Sequence, residues 1–216
     1  MSEVGKTITQ AIAFVSRIGD ECEALANLIK HEVSDVFLKL NNAYKPGEWS
    51  SSYKTDTNGW IFSDVAWTLP LTLKRKQKAT AHFAFQMSFL CDNAEAGFSP
   101  EPLLHLNLWD EPTDFKQDSY MGFEMHGIAQ DALARLREGG AKLFRWETGD
   151  ADADRWTFTL RLADLNHLND VRTLICDPLT QLLADVDQGE AALDKINNVV
   201  RYRAVEEMPD YYRVVC

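Results

Sequence analysis

Two short stretches have the residue types and spacing of ion-binding or phosphate-binding motifs. Gly5-Lys6-Thr7 matches the end of a phosphate-binding loop, but no glycine stands five residues upstream and no strand precedes it. The D-x-D-x-D pattern at 150–154 matches the start of a calcium loop, yet Arg155 and Arg161 stand where that loop needs glycine and glutamate. Neither stretch supports a binding site, and a solvated hairpin tip is the better interpretation of the aspartates.

Asp114-Phe115-Lys116 has the D-x-K spacing with which some metal-dependent nucleases hold magnesium and position a lysine. A second acid would have to come from an adjacent strand, and Asp92 and Glu101 are the candidates. The triplet follows Pro112 in a predicted loop, which lacks the strand geometry that brings ligands together. A metal-dependent hydrolase or nuclease is therefore the third-ranked hypothesis, built on Asp64, His82, His105 or Asp114.

Aromatic residues and histidines indicate a different kind of site. Six tryptophans are present, and all but Trp49 lie on predicted strands. If several share an open sheet face, they line a groove suited to a ligand or peptide. A small-molecule or peptide binder is the second-ranked hypothesis, although core packing explains most tryptophans on strands. The predicted groove residues are Trp67, His82, His105 and Trp109.

The first-ranked hypothesis comes from charge. The chain has 22 Lys and Arg against 33 Asp and Glu, a formal net charge of −11. Residues 92–124 hold eight acids and one base, Lys116. Such a surface repels nucleic-acid phosphates, which argues against direct nucleic-acid binding, and steers association with a basic protein. We expect a non-enzymatic regulator, inhibitor or subunit of a bacterial or phage complex. The predicted interaction residues are Asp110, Glu111, Asp114, Asp118 and Glu124.

No residue is predicted to be catalytic or to bind a metal, and no cofactor is expected. The four cysteines are far apart and form no C-x-x-C motif, a pattern typical of free thiols in a reducing compartment. The N-terminal ten residues lack the apolar segment of a secretory signal. No apolar run approaches the roughly 20 residues of a membrane span. The predicted location is the cytoplasm, with no membrane contact.

The elements that must position these residues begin with a long helix. Apolar residues recur at steps of three and four from Ile8 to Leu40, which predicts an amphipathic helix within 1–41. Thr7 and Gln10 fit a capping box at its start. The helix is longer than a strand of about 33 Å, so one end overhangs the sheet, packs on other helices or breaks near Gly19. A homodimer through this helix is an alternative, but intramolecular packing is favoured because flanking charge pairs are missing.

Alternating apolar residues predict about six antiparallel strands within 60–162, interrupted by a helix at 128–138. The fourth of these strands is expected from Met121 to Met125. Helices follow within 168–200, one of them starting at Asp177-Pro178. Strands joined by hairpins, with helices at both ends of the chain, predict one α+β domain over 1–216. The helices are expected to pack on one face of the sheet.

Overall fold

The computed structural model describes residues 3–39, 44–74, 76–89, 101–122, 136, 140–146, 155–206 and 212–215. Its helices are α1 (Glu3–Lys39), α2 (Leu168–Val171), α3 (Asp177–Ala184) and α4 (Val186–Leu193). Its strands are β1 (Tyr44–Pro46), β2 (Ser50–Thr55), β3 (Phe62–Leu73), β4 (Ala81–Ser88), β5 (Leu103–Trp109), β6 (Leu143–Arg145), β7 (Trp156–Arg161), β8 (Arg201–Ala204) and β9 (Tyr212–Val215). The predicted α+β class is confirmed, with its long N-terminal helix, antiparallel sheet and C-terminal helices.

Seven strands form the main sheet in the order β1-β3-β4-β5-β7-β6, and β2 pairs with β3 beside β1. Every pairing in it is antiparallel. The register places Phe85 opposite both Trp67 and Leu106, and Leu106 opposite Phe158. Because side chains alternate along a strand, this row lies on one face and the adjacent residues lie on the other.

The apolar face of the sheet packs against helices. Ala26, Ile29, Val33 and Phe37 of α1 are buried there, together with apolar residues of α3 and α4. The ring of Phe37 meets that of Phe83 edge-on at 5.9 Å, a favoured aromatic geometry. The first face of the sheet therefore holds the main core, and the C-terminal half of α1 is part of it.

The second face of the sheet is covered as well. The β8–β9 hairpin packs there, with Tyr202 and Tyr212 buried against Phe144. Met121 covers another part of this face. Its N–H donates to Gln86 Oε1 at 2.9 Å, and its carbonyl oxygen accepts from Gln86 Nε2 at 2.8 Å. Several polar residues of this face are consequently buried, and hydrogen bonds join His105 to Thr159 and Thr157 to Asn107.

Several local expectations differ from the structure. Strands β1, β2, β8 and β9 were not predicted, since their sequences are short or mixed in polarity. Met121 lies outside any strand, while 123–125 and all of 128–138 except Leu136 lie outside the described residues. The helix predicted to start at Asp177-Pro178 is confirmed as α3, although helical structure already precedes it. The chain is helical from Leu168 to Ala184, with a π-helical turn at Arg172–Cys176 that accommodates the missing N–H of Pro178.

Candidate interaction surface

Helix α1 consists of two halves with different surroundings. It runs for 37 residues, about 55 Å, and its buried residues lie between Ala26 and Phe37, so its first 19 residues contribute no buried side chain to the core. The predicted capping box is wrong: α1 begins at Glu3, and Thr7 Oγ1 donates to the Glu3 carbonyl at 3.1 Å. We call residues 3–21 the overhang. Its apolar side chains have no covering element among the described residues.

Exposure changes sharply along the helix although the apolar period continues. Ile29 and Val33 are fully buried, and Cys22 and Leu25 are half-buried. In the overhang the apolar residues face solvent, with exposed fractions of 69% for Val4, 56% for Ile8, 64% for Ile12, 58% for Phe14, 45% for Val15 and 37% for Ile18. A contiguous exposed apolar face of this kind usually marks an interaction site.

A groove lies where the overhang meets the body of the protein. It has a volume of about 660 Å³. One wall is α1 from Ile18 to Leu28, and the other is Pro102 with the segment 162–168. The side chains that line its apolar surface include Cys22, Leu25, Leu165 and Leu168. Burial and the neighbouring carboxylate of Glu21 raise the pKa of the Cys22 thiol, so the thiol is the dominant form at neutral pH.

Hydrogen bonds fix the wall opposite α1. The Asp170 carboxylate accepts from the backbone N–H groups of Asn166 and His167 at 2.9 and 2.8 Å. Arg172 then joins this wall to α1, donating from Nε and Nη2 to the two carboxylate oxygens of Glu32 at 2.7 and 3.1 Å. That hydrogen bond lowers the pKa of Glu32. The groove is therefore preformed between two connected walls.

The predicted acidic residues are partly committed to local contacts. Asp110 accepts from Arg155 Nε at 2.7 Å. Asp114 accepts from the Lys116 N–H and from Gln117 Nε2, at 2.9 and 3.0 Å, within its own turn. Asp118 has a positive φ of 55° in that turn. Glu111 is exposed, and Glu124 lies outside the described residues. Two of the five carboxylates thus already have structural roles.

The structure brings together only two of the four predicted ligand-groove residues, His82 and Trp109, which are opposite each other in the register of β4 and β5. Trp67 lies on the helix-covered face, stacked on Phe85 at 4.9 Å. His82, His105 and Trp109 lie on the other face, as strand alternation and the register require. His82 and His105 are separated by four register positions, about 13 Å, because His82 is opposite Trp109 and His105 is opposite Gln86. Trp67 and His105 therefore lie apart from the His82–Trp109 pair.

Each of the two histidines has a hydrogen-bond partner within the protein. His82 Nδ1 lies 2.9 Å from the Asp110 carbonyl oxygen. His105 Nδ1 lies 2.8 Å from Thr159 Oγ1, across the β5–β7 pair. Complete burial lowers the pKa of His105 from 6.5 to about 3, because the charged imidazolium would lose its hydration. His105 is therefore a neutral member of a buried polar row and not a proton donor at neutral pH.

The metal-site hypothesis also finds no convergent ligands. Asp64 accepts hydrogen bonds from Ser88 Oγ at 2.6 Å and Gln86 Nε2 at 3.2 Å. Within the described residues, no group of three or more His, Cys, Asp or Glu could hold an ion. Gly5-Lys6-Thr7 lies inside α1 and forms no phosphate loop. The aspartates at 150–154 lie outside the described part of the chain.

The sequence predicted the apolar stripe of α1 but not the groove. The groove depends on where Leu165 and Leu168 meet Cys22 and Leu25, which are about 140 positions apart in the chain. The available signal was the helix length, since a helix of about 55 Å exceeds any strand of the sheet. Of the six tryptophans, only Trp60 is strongly exposed, at 86%, and it lies at a hairpin tip outside both surfaces.

No protein-family model, curated protein sequence or solved structure matches this chain. Across the parts of the chain that the structure describes, no helix is both long enough and apolar enough to cross a membrane. Function is therefore inferred from the residues of the overhang and the groove.

Proposed function

We propose that this protein is a non-enzymatic interaction protein that self-associates, with the overhang of one copy packing against the overhang of a second. The observation that carries this proposal is the exposed apolar face of α1. Leaving such a face in water is unfavourable by about 25 cal/mol for each Å² of apolar surface. A second copy presents the same surface at the same concentration, and twofold pairing covers both faces at once.

The spacing of the overhang supports helix pairing. Eight positions follow alternating steps of four and three, as the two seam positions of a heptad do: Val4, Ile8, Ala11, Val15, Ile18, Cys22, Leu25 and Ile29. Ile12 and Phe14 flank this seam and widen it. The charged side chains of Lys6, Arg17 and Asp20 lie on the opposite side of the helix, at angles given by 100° per residue. No charged residue therefore occupies a seam position, and Glu3 and Glu21 lie beside the seam.

The test compares one substitution on two sides of the helix. Val15→Asp places a carboxylate at the centre of the seam, whereas Ala13→Asp places the same group on the opposite, exposed side. We expect the native protein and Ala13→Asp to dimerise alike in sedimentation velocity over a concentration series. Val15→Asp loses two buried valines per dimer, each contributing about 1.5 kcal/mol or more, so its dissociation constant rises about 100-fold.

Two results would contradict this proposal. One is a native protein that remains monomeric at high micromolar concentration. The other is a dimer that Ala13→Asp weakens as much as Val15→Asp does. Circular dichroism of both variants checks that the fold is retained. A cytoplasmic location belongs to the same proposal, because a reducing compartment keeps Cys22 as a thiol within the docking face.

Docking on a basic partner is a second candidate, favoured by the exposed carboxylates of Glu111 and Asp118. They lie on the 110–118 segment, away from α1, so a dimer could still present them. Association steered by these charges is fast and falls with salt. The double variant Glu111→Gln, Asp118→Asn should associate more slowly with a cationic probe such as polylysine. Equal association rates of the native protein at low and high salt would reject this candidate.

A further inference from the structure

The groove lies at the root of the overhang, on the same side of α1 as the exposed seam. Cys22 and Leu25 belong both to the seam and to the groove lining. Leu168, on the other wall, is 40% exposed, so apolar surface is available on both sides of the groove. The seam and the groove thus form one continuous apolar surface, which extends from α1 onto the body of the protein.

We infer that this groove receives the N-terminal tip of α1 from a second copy, so that the two helices pair antiparallel. This inference rests on the self-association proposed above and adds the direction and register of the pair. An antiparallel register that sets Val4 beside Cys22 also sets Ile8 beside Ile18. The third pair of the same register is Ala11 with Val15, and twofold symmetry repeats all three contacts.

The length of the overhang fits this arrangement. From Val4 to Cys22 the helix rises about 27 Å, so in this register each tip lies beside the groove of its partner. Each copy then supplies one tip and one groove. A parallel pair would instead place both bodies side by side at the same end, and both grooves would lack an occupant.

Contact area favours the same arrangement. A helix pair of about 28 Å length and 10 Å width has a footprint of roughly 300 Å² per copy. Stable specific interfaces bury about 800 Å² of surface on each partner. The helices alone fall short of that size. Seating Val4 and Ile8 against Leu25, Leu165 and Leu168 extends the contact onto the body of the second copy.

Cysteine crosslinking tests the register directly, because Cys22 lies on the seam. Val4→Cys is made in a background with Cys91→Ser and Cys216→Ser. Cys176 is retained, because burial raises the pKa of its thiol to about 12 and keeps it unreactive. We expect mild oxidation at alkaline pH to give a covalent dimer linked from residue 4 to Cys22, identified by mass spectrometry of the peptides. Thr9→Cys, which is exposed on the other side of α1, is the matched control and should not crosslink to Cys22.

A second pair of variants tests the groove without cysteines. Leu168→Asp changes the wall opposite α1, and Leu38→Asp changes an equally apolar residue that is 70% exposed at the far end of the helix. We expect Leu168→Asp to raise the dimer dissociation constant at least tenfold and Leu38→Asp to leave it unchanged. Equal effects of the two substitutions would overturn the inference.

The possible outcomes separate the two proposals. A native dimer that forms Cys22–Cys22 disulfides and no link from residue 4 to Cys22 has parallel helices, which overturns the groove inference but keeps self-association. A dimer with no crosslink of either kind also rejects this register. If the native protein does not dimerise, both proposals fail.

Discussion

The two halves of α1 share one sequence period and one apolar face, but they differ in what covers that face. Residues from Ala26 to Phe37 pack on the sheet, and Trp49 adds a hydrogen bond from Nε1 to Ser34 Oγ at 3.0 Å. The overhang has the same alternation of three and four and contacts no such surface. Periodicity therefore specifies which side of a helix is apolar, while the neighbouring elements decide whether that side is core or interface.

The difference also concerns why each half is helical. The C-terminal half is held by tertiary packing, the main source of helix stability in proteins. The overhang lacks such packing, so its helicity relies on local propensity and on continuation from that half. A partner helix would supply the missing packing. The overhang is thus expected to be the part of α1 whose helicity depends on protein concentration.

The largest expected effect on stability comes from comparing the same substitution, Ile to Ala, in the two halves of α1. Ile29→Ala removes a fully buried side chain and should lower the free energy of unfolding by about 2–5 kcal/mol. Ile8→Ala acts on an exposed residue and should change it by less than about 0.5 kcal/mol. Urea unfolding at concentrations where the protein is monomeric measures both. Similar losses from the two variants would mean that the overhang packs on its own body.

Lowering the pH should reduce the stability of the body by a smaller amount, and this effect should not extend to the overhang. His105 has a pKa of about 3 in the folded protein, against 6.5 when unfolded. Between these values the unfolded state binds more protons, so the stability contributed by neutral His105 is complete above pH 6.5 and decreases as the pH falls. At pH 5 the loss is about 2 kcal/mol. The overhang contains no histidine and lacks this response.

Urea unfolding of the native protein and His105→Gln at pH 7.5, 6 and 5 measures this effect. The native protein should lose stability toward pH 5 more steeply than the variant, and the difference isolates His105 from the other titrating groups. Parallel slopes would show that His105 can be protonated within the folded protein, and hence that water reaches the second face of the sheet.

The sequence predicted those elements whose own residues carry a clear period. The stripe of α1 and the strict alternation of β4, β5 and β7 are examples, since both follow from local geometry. It did not predict β2, whose sequence SSSYKT has no apolar alternation, or the four-residue strands β8 and β9. Without β8 and β9 the predicted sheet had helices on one face only, whereas Thr157 and Thr159 on the other face are fully buried.

The groove could not be predicted for a related reason. Each wall is an ordinary amphipathic segment, and the concave surface exists only because distant segments meet. Lys142 provides a parallel case: its ammonium group donates to the carbonyl oxygens of Leu193, Asp194 and Ile196 at 3.3, 3.0 and 2.7 Å. Desolvation lowers the pKa of this lysine. Nothing in the local sequence distinguishes it from a surface lysine.

The smallest expected effect concerns Gly19, which lies at the junction of the two halves. A Cβ added there would meet nothing within 4 Å, so Gly19→Ala removes the conformational cost of a helical glycine, about 1 kcal/mol. We expect the overhang to fray independently of the body, so amide hydrogen exchange of residues 3–18 should slow by up to about fivefold. Global unfolding in urea should hardly change.

Gly189 in α4 is the control for that last substitution, because it is also a helical glycine. A Cβ at Gly189 would lie 2.8 Å from the Cα of Leu182, so Gly189→Ala should destabilise the body by about 1–3 kcal/mol. Opposite signs at the two glycines would confirm that only the body is close-packed. If Gly19→Ala were instead destabilising, a neighbour would have to lie against the overhang in the monomer, and the distinction between the two halves of α1 would disappear.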